Sequence, residues 1–231
     1  MALIKCEGLV KKYGSMTALS NFSIEIPEGR IIGILGPNGS GKTTFIKSLC
    51  GVLTPEAGTI RIDGKEVGIE SKKVVSYLPE RPYFSSAIRV RDTLDFFEDF
   101  YEDFDRKAAL QMLSSLQIGL KSKIGSLSKG TREKLQLVLV MSRRAKIYLL
   151  DEPIGGVDPA ARDFILKTIL TNYSEDASVL ISTHLISDVE KVLDDVIFIK
   201  QGRLVLHKSV DEIRSEEKKS VDMLFREVFA C

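Results

Sequence analysis

The stretch GPNGSGKTT has the glycine, lysine and hydroxyl spacing of a phosphate-binding loop. Its glycines let the backbone turn N–H groups inward, where they donate to phosphate oxygens. The stretch follows an apolar run and precedes a helical pattern whose N-terminus adds partial positive charge. Lys42 is suited to reach the β- and γ-phosphates, and the Thr43 hydroxyl is suited to ligate Mg²⁺. The spacing predicts a nucleoside triphosphate site formed by Gly36, Pro37, Asn38, Gly39, Ser40, Gly41, Lys42, Thr43 and Thr44.

Hydrolysis requires acidic groups beside the phosphates, and the run IYLLDEP supplies two of them at Asp151 and Glu152. The apolar strand in front of them delivers both side chains to the carboxyl edge of the sheet, where ligands bind in such folds. Asp151 is suited to hold Mg²⁺ through water, and Glu152 to polarise an attacking water molecule. General-base assistance of this kind typically contributes about 10²- to 10⁴-fold in rate. The Asn-Lys-x-Asp motif for guanine is missing, so a GTPase is disfavoured.

Composition restricts the partners and the compartment. The 231 residues, 44% hydrophobic and 28% charged, have a net charge of +1, which favours neither nucleic acid nor an acidic membrane. No apolar run reaches the 18 or so residues that span a bilayer, so a membrane role requires a partner chain. The N-terminus lacks the apolar region of a signal peptide. Three cysteines without pairing or metal-ligand spacing predict reduced thiols in the cytosol, with Cys50 packed in the core: Cys6, Cys50 and Cys231.

Strand and helix patterns alternate along the chain and predict an α/β fold with a largely parallel central sheet. Apolar and β-branched runs predict strands at Leu3–Val10, Phe22–Ile26, Ile31–Leu35, Gly58–Asp63, Val74–Leu78, Lys146–Leu150, Val179–Ser182, Val196–Lys200 and Arg203–His207. Helical patterns cover Thr43–Cys50, Arg89–Met141, Pro159–Tyr173, Leu185–Leu193 and a C-terminal stripe from Val221 to Phe229, which we expect to dock on the chain's own core. The chain is predicted to be one domain, with a core of about 1–80 and 146–231 and an inserted helical subdomain of about 81–145.

The stretch DTLDFFEDFYEDFD, from Asp92 to Asp105, contains seven acids and no Lys or Arg. Its apolar residues fall at helical spacing on one face, which predicts an amphipathic helix through Phe104. Its acidic face either meets solvent, as charged faces usually do, or forms a surface for a partner subunit.

The segment LSKGTREKLQLVLVMSRR, just upstream of the acidic strand, resembles the LSGGQ signature of ABC-type ATPases. Ser128 and Gly130 open a helix, so free backbone N–H groups face outward beside a hydroxyl and form a second phosphate-binding surface. A chain with two complementary half-sites can pair head to tail with a second copy. The resemblance covers essentially the whole chain. It implies a P-loop core with an N-terminal antiparallel β subdomain, and a dimer that encloses two Mg-ATP.

The resemblance also assigns roles to single residues. It implies that Tyr13 stacks on adenine, that Glu80 ligates the metal with Thr43 and Asp151, and that His184 senses the γ-phosphate beside the catalytic Glu152 and Lys42. It implies that the partner's ATP is contacted by Ser128, Lys129, Gly130 and Asp158. Three positions depart from the family pattern: Glu80 and Thr131 each replace Gln, and Lys129 replaces Gly.

The resemblance is strongest to small bacterial exporters of the drug- or antibiotic-resistance type. It implies an ATPase that drives a separate transmembrane subunit, with a homologous or identical ATPase partner. Such a chain would be cytoplasmic, held on the inner face of the membrane by its partner, with Arg81–Ser86 as a coupling stretch. The alternative is an ABC ATPase outside transport, such as one in iron–sulfur cluster assembly. The interval between Thr44 and Ser128 is too short for chromosome-organising relatives, and Lys42, Glu152 and His184 argue against a regulator without turnover.

Overall fold

The computed structural model describes residues 2–174 and 176–230, with the side chain of residue 160 left out. The strands are β1 Ala2–Tyr13, β2 Met16–Pro27, β3 Ile31–Leu35, β4 Ala57–Ile62, β5 Lys65–Glu66, β6 Val75–Leu78, β7 Ile147–Asp151, β8 Ser178–Thr183, β9 Asp195–Lys200 and β10 Arg203–Ser209. The α-helices are α1 Lys42–Leu49, α2 Ile69–Val74, α3 Val90–Phe100, α4 Arg106–Ser115, α5 Lys129–Met141, α6 Pro159–Asn172, α7 Ile186–Val189, α8 Val210–Glu216 and α9 Val221–Phe229.

Two sheets organise these elements. An antiparallel sheet near the N-terminus has the strand order β2-β1-β4-β5, and a six-stranded sheet has the order β10-β9-β3-β8-β7-β6. In the larger sheet β9, β3, β8, β7 and β6 run parallel, and β10 is added antiparallel at one edge. This confirms the predicted α/β class with its largely parallel sheet and antiparallel N-terminal part.

The larger sheet brings two loops together. Strand β8 lies between β3 and β7, pairing Leu35 with Thr183 and Asp151 with Ser182. All residues of β3 and β7 are buried, as expected for parallel strands covered on both faces. The phosphate-binding loop after β3 and the acidic pair at the end of β7 therefore lie at the same edge of the sheet.

The predicted helix through Phe104 is wrong in its length. Helix α3 ends at Phe100, Tyr101 has an extended backbone, and Asp105 caps α4 by accepting the Ala108 N–H at 2.9 Å. Asp and Asn compete for backbone donors in this way, so they begin helices more readily than they continue them. Phe104 still packs near the predicted face, with its ring centroid 5.5 Å from that of Phe97.

The acidic face of α3 is partly neutralised within the chain. Arg106 donates to Asp95 at 2.8 Å and to Glu98 at 2.7 Å. The helices α3, α4 and α5 share a hydrophobic cluster of their own that contains Leu94, Phe97 and Val138. The limits of the helical subdomain at 81 and 145 remain a prediction.

The C-terminal stripe docks on the chain's own core, as predicted. Val221 and Leu224 are buried, and the rings of Phe225 and Phe229 lie 5.5 and 5.8 Å from that of Phe198 in β9. Cys6 and Cys50 are buried free thiols, and burial raises the pKa of Cys6 to about 12. The remaining cysteine, Cys231, lies outside the described residues.

Candidate nucleotide-binding site

Two glycines of the phosphate-binding loop have no room for a side chain. A Cβ atom at Gly36 would lie 2.4 Å from the carbonyl oxygen of Ile199, and one at Gly41 would lie 2.5 Å from that of Ala18. Gly41 also has φ of 112°, a conformation that L residues rarely adopt, and it directly precedes α1. The loop is therefore held close to backbone at both of these glycines, and a larger residue at either position would displace it.

Lys42 is folded onto its own loop. Its ammonium donates to the carbonyl oxygens of Gly36 at 2.8 Å and Pro37 at 3.3 Å, and it lies 3.8 Å from Glu152 Oε1. The side chain is only 6% exposed, and burial lowers its pKa, against the opposing effect of the carboxylates of Glu152 and Asp151. A cation held this way needs stronger anionic partners than two carbonyls, and phosphate oxygens are such partners.

Asp151 ends β7 within contact of the loop. Its Oδ1 accepts from Thr43 Oγ1 at 3.0 Å and from Ser182 Oγ at 2.7 Å, whereas Oδ2 is buried without a partner among the described residues. Burial raises the pKa of Asp151, and the two hydroxyl hydrogen bonds oppose that effect. A buried, half-satisfied carboxylate beside a threonine hydroxyl has the oxygen donors that a hard divalent cation prefers.

Glu152 adopts a left-handed backbone conformation, with φ of 50°. Its N–H is fixed by the carbonyl oxygen of Ser182 at 3.1 Å and by the Ser182 hydroxyl at 2.9 Å. The carboxylate then lies between the Lys42 ammonium and the His184 ring, with Oε1 3.8 Å from Lys42 Nζ and Oε2 3.0 Å from Nδ1 of His184. Non-glycine residues keep such a conformation only where surrounding contacts impose it, which is common at functional sites.

One cavity of about 810 Å³ connects most of the predicted ATP and metal residues. It is lined by Tyr13, Asn38, Gly39, Ser40, Gly41, Lys42, Thr43, Thr44, Glu80, Lys129, Glu133, Glu152 and His184, among others. Tyr13 is 45% exposed and lines this cavity, with Lys11 Nζ 5.9 Å from its ring centroid, so the ring is not packed in the core. Asp151 lines a smaller adjoining cavity, also bordered by Glu80.

The residues predicted to contact a partner's nucleotide lie together in a separate cavity of about 300 Å³. Ser128 caps α5 by accepting the Thr131 N–H at 3.1 Å, and Asp158 caps α6 by accepting the Ala161 N–H at 3.0 Å. Gly130 and Lys129 line the same cavity, and Lys129 also borders the larger one. The two helix N-termini thus present their polar ends to one opening.

Sequence reasoning missed Ser182, which joins the two acidic residues. Its hydroxyl donates to Asp151 and accepts from the Glu152 N–H, so one side chain contacts both the predicted metal ligand and the predicted catalytic residue. The available signal was a serine at the end of a predicted buried strand, the position where such sheets place ligand-facing residues. Its partners depend on β8 lying beside β7, which the sequence pattern did not state.

The fold and this loop define a P-loop nucleotide-binding domain. Residues 19–155 match the family described as ABC transporter, and the chain belongs to that family. It is 30% identical over 235 residues to the SkfA peptide export ATP-binding protein SkfE of Bacillus subtilis, covering 98% of both chains. It is 28% identical over 211 residues to the lantibiotic transport ATP-binding protein SrtF of Streptococcus pyogenes, covering 90% of this chain and 92% of that one.

A solved structure of the ATP-binding subunit of an ABC transporter superposes with a TM-score of 0.88 at 25% identity, over 98% of this chain and 99% of that one. The chain is accordingly an ABC transporter ATP-binding subunit, and its activity is ATP hydrolysis. In the described part of the chain, no helix has the length and apolar character to cross a membrane.

Proposed function

We propose that two copies of this chain, or this chain and a homologous subunit, close head to tail around two Mg-ATP. The observation that carries the proposal is the presence of two separate, incomplete sites on one chain. The loop cavity has phosphate donors and acids, and the cavity around Ser128 and Asp158 is lined by the N-terminal ends of α5 and α6. In a head-to-tail pair the helix N-termini of one chain would face the nucleotide in the loop cavity of the other, so a second chain completes both sites.

Within each site the proposed roles follow from the contacts. Glu152 polarises the attacking water, and His184, 3.0 Å away, orients its carboxylate and senses the γ-phosphate. Lys42 exchanges its two carbonyl partners for β- and γ-phosphate oxygens. Tyr13 stacks on the adenine.

The residues around Asp151 fit Mg²⁺. Thr43 and Asp151 offer oxygen donors 3.0 Å apart, and Glu80 borders the adjoining cavity. Among the described residues no group of three or more His, Cys, Asp or Glu side chains forms a metal cage. This agrees with Mg²⁺, which is usually held by one or two carboxylates, waters and the substrate's phosphates. When bound, the ion would neutralise charge on the phosphates.

We further propose that the chain drives a separate membrane subunit, as an exporter. A cavity of about 470 Å³ between the sheet and α3 is lined by Tyr83, Phe96, Phe97 and Tyr101, with Tyr83 51% and Phe96 46% exposed. Clustered exposed aromatics favour a protein partner. Pro79 borders the same cavity, so a partner seated there would contact the segment that leads into Arg81–Ser86. The names of the relatives, peptide export and lantibiotic transport, support the export direction.

The head-to-tail arrangement is tested with the variant Glu152→Gln, which keeps the side-chain shape and slows hydrolysis. With Mg-ATP we expect it to elute at twice the mass of the 25.7 kDa chain, and at the monomer mass without nucleotide. Adding Ser128→Arg fills the second half-site and should abolish the dimer, as should adding Lys42→Ala.

Mixing these two double variants is the sharper test. The mixture retains one intact composite site, from the loop of one chain and Ser128 of the other. We therefore expect a heterodimer with ATP that neither variant forms alone. A Glu152→Gln protein that stays monomeric at saturating Mg-ATP, or a mixture that never associates, would contradict the proposal.

A further inference from the structure

Helix α5 contains one buried polar residue in an otherwise apolar stretch. Gln136 is 2% exposed and lies between Leu135 and Leu137, each 1% exposed. Burying an amide side chain costs free energy unless its donors and acceptor are satisfied. The residue therefore needs an explanation other than packing.

The amide of Gln136 contacts the segment that follows β6. Its Nε2 donates to the carbonyl oxygen of Pro79 at 3.3 Å. A carbonyl only accepts, so the NH₂ group must face Pro79, and this contact fixes the orientation of the amide. Oε1 is then buried without a partner among the described residues, beside a cavity of about 30 Å³ that Glu80 and Asp151 also line.

This contact joins the two half-sites of one chain. Helix α5 begins at Lys129 with Ser128 as its cap, and Gln136 lies about two turns further along the same rigid helix. Pro79 immediately precedes Glu80, which borders the nucleotide cavity. A displacement of the Ser128 end by a partner's nucleotide would therefore be transmitted through Gln136 to the Pro79–Glu80 peptide.

We propose that Gln136 is a positioning residue that ties the signature helix α5 to Glu80 and so sets the metal end of the nucleotide site. The proposal rests on the proposed role of Glu80 at Mg²⁺. Gln136 is proposed to act through Pro79 and Glu80 and not at the nucleotide or the metal. Its Oε1 has no protein partner among the described residues, and its amide group holds the segment from Pro79 to Glu80.

The test uses Gln136→Met, which has nearly the same shape and no amide, with Leu137→Met as the packing control on the same helix. The first readout is limited proteolysis of the nucleotide-free protein by chymotrypsin at Tyr83 and Phe84, which lie in the segment that follows Glu80. We expect cleavage there to be roughly 3- to 10-fold faster in Gln136→Met, the equivalent of one hydrogen bond. We expect the melting temperature to be unchanged or higher, because the unsatisfied oxygen is removed. A purely structural role predicts the reverse, a lower melting temperature with no local change.

The second readout is the Mg²⁺ concentration that half-saturates ATP hydrolysis. We expect a roughly 3- to 10-fold increase in Gln136→Met, no change in Leu137→Met, and no further increase when Gln136→Met is added to Glu80→Gln. Unchanged cleavage at Tyr83 and Phe84, or a full effect in the Glu80→Gln background, would overturn the proposal. If the wild-type chain showed no Mg²⁺-dependent hydrolysis, the proposed function would fail, and the proteolysis would still test the contact between Gln136 and Pro79.

Discussion

Arg143 provides the largest stability prediction in this chain. It is 3% exposed and follows Ser142, the C-terminal cap of α5. Its guanidinium pairs with both carboxylate oxygens of Asp103 at 2.9 and 3.0 Å and donates to the carbonyls of Val75 at 2.6 Å and Lys73 at 2.7 Å. It also lies 3.9 Å from the ring centroid of Tyr101. One side chain thus connects the segment between α3 and α4 to the start of β6.

The expected loss in Arg143→Ala follows from what remains unpaired. Breaking a buried ion pair costs about 3–5 kcal/mol, because the remaining charge stays buried. Asp103 is 24% exposed, so water compensates part of that loss and the lower end applies. The two backbone carbonyls lose their charged donor. We expect a decrease of about 3 kcal/mol in the free energy of unfolding, and an intermediate decrease in Arg143→Lys, which cannot form the two-pronged contact.

The neighbouring residue is the matched control. The Arg144 side chain is 79% exposed and pairs with Asp105 at 2.9 Å, so Arg144→Ala should cost less than about 1 kcal/mol. Urea unfolding followed by circular dichroism measures both variants. Equal midpoints for the two alanine variants, or a loss below about 1 kcal/mol in Arg143→Ala, would refute the reasoning that burial and bidentate geometry determine the difference.

Two further predictions concern the nucleotide site. Gly41→Ala should lower the melting temperature and prevent binding of a fluorescent ATP analogue, because the new Cβ would lie 2.5 Å from the Ala18 carbonyl oxygen. Gly39→Ala is the control: Gly39 has φ of 78° but open space around it, so the variant should lose only about 1–2 kcal/mol of stability. Equal binding of the analogue by the two variants would contradict this geometry. Tyr13→Ala should raise the dissociation constant for ATP roughly 10-fold, the equivalent of one base–aromatic stack, whereas Tyr13→Phe should leave it nearly unchanged. Equal dissociation constants in the wild-type protein and both variants would show that Tyr13 does not contact the adenine.

The sequence predicted the elements on which the site is built, because their signals are local. Strand β3 has the predicted limits, Ile31–Leu35, and β7, at Ile147–Asp151, is shifted by one residue from the predicted Lys146–Leu150. A fully apolar run bounded by a glycine-rich loop or an acidic pair is enough to define such a strand. The same locality explains why the loop residues were found together.

Elements that depend on capping were predicted less well. Two short helices were missed, α2 at Ile69–Val74 and α8 at Val210–Glu216. Ser209 and Glu212 form a reciprocal capping box at the start of α8. The extension of α3 failed because Asp105 was assigned to an acidic face, whereas it caps the next helix. Short helices of this kind depend on caps and packing more than on apolar periodicity.

The contacts that connect distant segments were not predictable from periodicity, and they converge on one strand. Arg143 donates to Val75 at the start of β6, Ser76 donates to the Val140 carbonyl of α5 at 2.9 Å, and Gln136 donates to Pro79 just beyond the strand's end. Strand β6 is an edge strand of the larger sheet and pairs with β7, which ends at Asp151.

This arrangement defines a physical route between the helices and the acidic residues. Hydrogen bonds from α5, and from Arg143 just after its C-terminal cap, reach both ends of β6, so a displacement of the helix would displace the strand. The parallel ladder from Val75 to Leu78 would pass that shift to β7, and the Gln136 contact would pass it to Glu80. A partner seated on the aromatic cavity beside α3 would act on both routes. Arg143→Lys should therefore weaken partner-stimulated hydrolysis more than basal hydrolysis, because Arg143 lines the aromatic cavity and joins Asp103 to the start of β6.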